Sequence, residues 1–184
     1  MKTYRAVAGG VAALALYVAA GSTPAAHHRI SADALQHFQQ GVERYVILHR
    51  QIERLLPPLG ISAERRKIQQ WSDALALEIA AGRQGAREGD IIDAAAANVF
   101  RARIRETLKD TDRAAEGTFA PAVNTRVQWT AGTRIPAALI AVLPTLPPEL
   151  QLRFIGVDLV LIDVGAGLVV DVLRDALPPV STGI

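Results

Sequence analysis

The sequence contains no cysteine. That excludes disulfides, thiolate metal sites, thiol nucleophiles and a lipid anchor on an N-terminal cysteine. Aromatic residues are scarce at 5%, so a core here rests on Leu, Ile, Val and Ala, with Trp71, Trp129 and the four Phe as rare bulky anchors. Lysine is confined to positions 2, 67 and 109. The chain has no GxSxG nucleophile elbow, no P-loop, no dinucleotide fingerprint and no HExxH pair. Beyond the leader described below, serine is limited to positions 22, 31, 62, 72 and 181. A net charge of one sign is also missing. Lys2 and Arg5, two of the 20 basic residues, lie in the leader, and the remainder balances the 18 acidic ones. A neutral chain has no electrostatic footprint for nucleic acid, because Lys and Arg must neutralise phosphates.

What is present begins with an address. Lys2 and Arg5 form a positive n-region, Ala6 to Leu16 an apolar h-region, and Val18-Ala19-Ala20 a small-residue cleavage site. A run of this length is short of the ~20 residues a membrane-spanning helix needs, and no second apolar run approaches it. The expectation is a signal peptide over 1–20, with export to the periplasm or beyond and no transmembrane span in the mature chain. An uncleaved N-terminal anchor is the alternative. Residues 21–30, with Pro24 and the pair His27-His28, lack apolar periodicity and read as a flexible arm.

Residues 31–184 are long enough for one globular domain. Ser31 suits an N-cap, and Leu35, Phe38, Val42, Tyr45, His49, Ile52 and Leu56 recur at helical spacing until Pro57-Pro58. Ser62 and Glu64 open a second helix with Ile68, Trp71, Leu75 and Ile79 on its apolar face. Asp90 caps a third, with Ile92, Ala96, Val99, Phe100, Ile104 and Leu108. Ala94 to Ala97 leave room for close helix approach. Residues 31–115 are thus expected as a three-helix antiparallel bundle. The stretch 116–149 reads as loop, with an extended piece near Val127 to Trp129 and a short helix from Pro136 to Leu143. Over 150–175 the period changes to that of strands. Leu150 to Ile155, Val157 to Val164 and Leu168 to Leu173 read as an antiparallel β-meander, with Asp163 opposite Leu168, Leu161 opposite Val170 and Leu159 opposite Val172. Both faces of that hairpin are apolar, so both are expected to be covered. The fold class is α+β, helical first and β last.

Candidate chemistry is thin. His49 with Glu53 one turn later could form an oriented base or two metal ligands, and a meander carboxylate, Asp171 foremost, could complete a hydrolase site. The plainer reading of His49 is a hydrogen-bonded histidine at the bundle edge. Asp171 inside an apolar strand needs a partner such as Arg. Asp163 beside a Gly turn reads as a turn former, and Asp158 and Asp175 decorate the same region. His27, His28 and His37 are weak metal candidates, since zinc needs three or four ligands in fixed geometry. Arg65-Arg66-Lys67, Arg101 and Arg105 read as solvated faces. No cofactor is expected.

The segments Gly89-Asp90-Ile91-Ile92 through Ile104, Leu146-Pro147-Pro148-Glu149-Leu150 through Gly156, and Asp158 to Val164 through Leu168 to Asp171 resemble a group of uncharacterised exported bacterial proteins. The likeness spans roughly the second half of the mature chain. It implies an extracytoplasmic setting and assigns no activity. The leading expectation is a non-enzymatic periplasmic binding or envelope-associated protein with a protein or small-molecule partner, its surface the groove between the first helix and the meander. The alternative is a periplasmic hydrolase using His49 and Glu53 with a meander carboxylate, which requires His49 at the wall of a pocket. N-terminal sequencing of the exported protein should give a chain starting at or near Gly21; material that retains Met1 would contradict cleavage.

Overall fold

The computed structural model describes residues 24–60, 64–108, 120–127 and 132–177, with side chains from Ser31 onward. The leader 1–20, Ser62 and Trp129 lie outside them, as do the side chains of His27 and His28. Three main helices come first, α1 (Pro24–Glu53), α2 (Arg65–Gly82) and α3 (Ala94–Thr107). They are followed by a four-stranded antiparallel sheet, β1 (Thr133–Arg134), β2 (Leu150–Ile155), β3 (Asp158–Asp163) and β4 (Leu168–Leu173), with the short helix α4 (Ala137–Ile140) between β1 and β2. The α+β arrangement is the expected one, and the sheet gains β1 as an extra edge. Among the described residues no helix is long and apolar enough to cross a membrane.

The boundaries differ from expectation in ways that have local causes. Helix α1 begins at Pro24 rather than Ser31, so 24–30 is helical and not an arm. Proline fits a first helical turn, where its missing N–H is not needed. At 30 residues α1 is about 45 Å long. Helix α3 is capped by Asp93, whose side chain accepts from Ala96 N at 2.8 Å. Asp90 instead accepts from Arg87 N in the preceding turn. In α2 the apolar face is narrower than predicted. Leu75, Ala76 and Ile79 are buried, whereas Ile68 is 48% exposed.

Phe38 and Phe100 meet edge to face at 5.1 Å between α1 and α3. Gly41 lets the α2–α3 connection pack against α1, since a Cβ there would lie 3.2 Å from Ile91 Cγ2. Leu150, Leu152, Phe154, Leu159 and Leu161 turn one face of the sheet into this helical core. On the other face Ile155, Val160, Ile162, Val169 and Val172 form a second cluster with Val127. Arg126 bridges Leu168, so residues 124–127 run along the outer edge of β4.

The register of β3 and β4 departs from the simple hairpin. Asp163 does oppose Leu168. A bulge then intervenes, and Leu161 pairs with Asp171 and Leu159 with Leu173. One extra residue on β4 exchanges the faces of everything beyond it. Val172 joins the outer cluster, Leu173 joins the helical core, and Asp171 turns toward the helices. There its carboxylate accepts from the backbone N–H of Gly89, Ile91 and Ile92, each at 2.8 Å. Its partners are therefore amides of the α2–α3 connection rather than an arginine. Asp171→Ala would strand several buried N–H groups, each costing about 1–3 kcal/mol. Urea denaturation should show a loss of at least about 3 kcal/mol, with the Asn variant in between; a neutral Ala variant would remove Asp171 as the anchor of this loop.

Candidate functional site

Among the described residues the buried polar or charged side chains are His49, Arg153, Asp163 and Asp171. Two of them meet. Helical spacing puts Tyr45 and His49 on the face of α1 that packs against the end of β3, where Asp163 is fully buried. Asp163 Oδ2 accepts from the Tyr45 hydroxyl at 2.7 Å and lies 2.5 Å from His49 Nδ1. A carboxylate of this kind only accepts, so Nδ1 carries the proton. Oδ1 accepts from Ala166 N at 2.8 Å and closes the β3–β4 turn. Asp163 is thus a turn former, as its position beside glycines suggested, and also the partner of His49. Asp171 is not brought to His49.

The far nitrogen of His49, Nε2, lies 3.8 Å from Glu53 Oε2, beyond hydrogen-bond length but within ion-pair range. Glu53 is about half exposed and covers the ring from the solvent side. The turn at Gly165 closes another side, since a Cβ there would sit 3.5 Å from both His49 Cε1 and Leu75 Cδ2. Burial alone disfavours the imidazolium. The Asp163 hydrogen bond and charge, with the charges of Glu53 and Glu149, outweigh it and raise the His49 pKa. Burial and the Asp163 carboxylate push the Tyr45 phenol far up, so it stays a donor.

Arg83 extends the cluster. Its guanidinium lies 5.0 Å from the Tyr45 ring centroid, a cation–π distance. It donates to Asn124 Oδ1 at 3.1 Å and to the Val170 carbonyl at 2.9 Å. Asn124 Nδ2 returns a bond to the Arg83 carbonyl. Nearby, Arg50 Nε donates to Glu149 Oε1 at 2.6 Å, which holds the Glu149 carboxyl below its usual range.

None of the described cavities is lined by His49. One, of about 350 Å³, is a groove between α1 and the loop before β2, with Val42, Val46, Ile47, Arg50, Thr145 and Pro147 on its walls. A second, of about 440 Å³, lies between β1, α4 and β2. A third, of about 480 Å³, lies between Leu56–Gly60 and Trp71 on α2.

The remaining candidates are dispersed. His37 is exposed, 4.0 Å from Asp93. Arg65, Arg66 and Lys67 are exposed, while Arg101 is half-buried and donates to the Arg174 carbonyl. Asp158 accepts from Arg174 at 2.7 Å and from Asp175 N. Among the described residues no three His, Asp or Glu side chains converge as a metal site. The roles of Tyr45, Arg83 and Asn124 were missed from sequence. Tyr45 one turn before His49 was the available signal for the first, and nothing local marks the other two. No family model matches the chain, and neither a curated protein nor a solved structure matches it.

The raised pKa fixes a sign. A group with a higher pKa folded than unfolded stabilises fully below its unfolded value and ceases to do so as pH rises through the folded one. The stability difference between wild type and His49→Gln should be largest below about pH 6.5, the ordinary imidazole value, and shrink above it. Urea titrations from acid to alkaline pH would measure this, and a difference growing with pH would contradict the assignment. Tyr45→Phe should cost about 1.5–3 kcal/mol, the worth of a hydrogen bond to a charged group.

Proposed function

We propose that this chain is an exported, non-enzymatic binding protein of the cell envelope. Its docking surface is the groove between α1 and Thr145–Pro147. The observation that carries this reading is how the reactive groups are used. Both oxygens of Asp163 are taken by Tyr45, His49 and the turn amide, and Asp171 is taken by backbone amides. The groove, by contrast, is open, with Val42, Val46, Ile47 and Pro147 on its walls beside Gln39, Glu43 and Arg50. Ile47 on its wall is 51% exposed, which costs free energy that a partner would recover. The leader pattern supports the compartment.

The hydrolase reading has one of its two requirements. His49 does reach a carboxylate, but it does not line a described cavity. A substrate would have to displace Glu53 to touch Nε2.

A photo-crosslinking residue at Ile47, compared with one at Leu77 on α2, tests the docking surface. Leu77 is 69% exposed and lies off the groove. In intact cells a defined adduct is expected from position 47 and not from 77. Equal labelling at both, or none at either, would overturn the reading. Hydrolysis of a simple ester by the purified protein, abolished in His49→Gln, would favour the enzyme instead.

A further inference from the structure

We propose that the cavity between β1, α4 and β2 binds a single-chain carboxylate amphiphile, a fatty acid, with Arg134 holding the head group. This site meets the α1 groove at Thr145, a residue that lines both, and its failure would leave that reading standing. The walls are apolar, chiefly Ile135, Ile140, Leu146 and Leu152. The one charged residue on them is Arg134. It is exposed on β1 and has no hydrogen-bond or ion-pair partner among the described residues. No Asp or Glu is among the residues lining the cavity. Between Glu116 and Glu149 the chain has no Asp or Glu, and Glu149 is engaged by Arg50. A second guanidinium, that of Arg153, is its register partner on β2 and is buried. Burial, and then the charge of Arg134, depress the Arg153 pKa, so the two cations repel. A third, Arg103, donates to the Val142 carbonyl just past α4.

An apolar cavity with one arginine and no acidic residue among its lining residues is complementary to an apolar tail with a negative head. The planar fork of arginine matches a carboxylate in bidentate geometry. A volume of about 440 Å³ falls in the lower part of the usual range for small-molecule cavities, which favours one chain over a two-chain lipid. Ile140 on the cavity wall, 66% exposed, offers apolar area that a tail would cover.

Displacement of a dansylated undecanoate from the purified mature protein tests the site. Laurate should compete at a concentration at least about tenfold lower than octanoate, because each buried methylene adds affinity. Dodecyltrimethylammonium, with the same tail and the opposite charge, should not compete at the laurate concentration. Arg134→Gln should weaken laurate at least about tenfold, and Ile140→Asp should abolish probe binding. Both positions are exposed, so thermal melts of the two variants should match wild type. Equal competition by laurate and dodecyltrimethylammonium, unchanged laurate affinity in Arg134→Gln, or failure of wild type to bind the probe would each overturn the proposal.

Discussion

A carboxylate removed from water has to be surrounded by donors, and among the described residues two carboxylates have no exposure at all, Asp163 and Asp171. Each recruits most of its donors from the helical layer. Asp163 takes side chains of α1, and Asp171 takes main-chain amides of the α2–α3 connection. Neither charge is tolerable unless helices and sheet are already in contact, so the two layers are obliged to form together. Arg83 adds a third tie, running from the end of α2 to Asn124 and to the carbonyl of Val170 on β4. Between these polar ties the core is almost entirely aliphatic, with Phe38 against Phe100 as its single aromatic pair among the described residues. Aliphatic packing tolerates sliding of one layer on another better than directional bonds do. The ties therefore set the position of the helices on the sheet.

The same constraint explains where the open surface lies. His49, Asp163 and Asp171 are committed to joining layers, and two of the three cavities described above flank the segment before β2. Pro144, Pro147 and Pro148 there cannot donate to a sheet or continue a helix, so α4 ends after four residues and the chain crosses as a stiff loop. Thr145 on that loop lines both the α1 groove and the cavity beneath α4. The two surfaces nevertheless differ in charge. The α1 groove carries Glu43 and Arg50 together, whereas the other has arginine alone.

Much of this was legible in the sequence, and the failures are local. The stripe from Leu35 to Ile52 and that from Ala96 to Ile104 named most of the residues that α1 and α3 bury, because period 3.6 survives wherever one face meets a core. The strands announced themselves by β-branched runs separated by Gly156 and Gly165 to Gly167. The segment 24–30 offered no periodicity, and only Pro24 at its start, with no breaker before Ser31, hinted at helix. The bulge in β4 was invisible, since an unbroken alternation from Leu168 to Leu173 is locally as good. What selects the bulge is the need of Asp171 to reach the α2–α3 amides, a tertiary demand with no local trace. For the same reason Asp163 showed its turn-forming role, which depends on its neighbours in sequence, and hid its pairing with His49, which lies far along the chain.

The pairing of His49 with Asp163 has the outline of a catalytic dyad, and its surroundings argue for a different use. A general base must offer a lone pair at the nitrogen that faces the substrate. Here that nitrogen faces a second carboxylate, Glu53, at 3.8 Å. Carboxylates on both sides of one imidazole favour its protonated form, which has no lone pair to offer, and the raised pKa expresses that preference. A lone acidic partner would orient a base; a second one shifts the balance further toward the cation. The cation in turn offsets the charge of Asp163 where water cannot. In this position a charged His49 ties α1 to the end of β3 through Asp163.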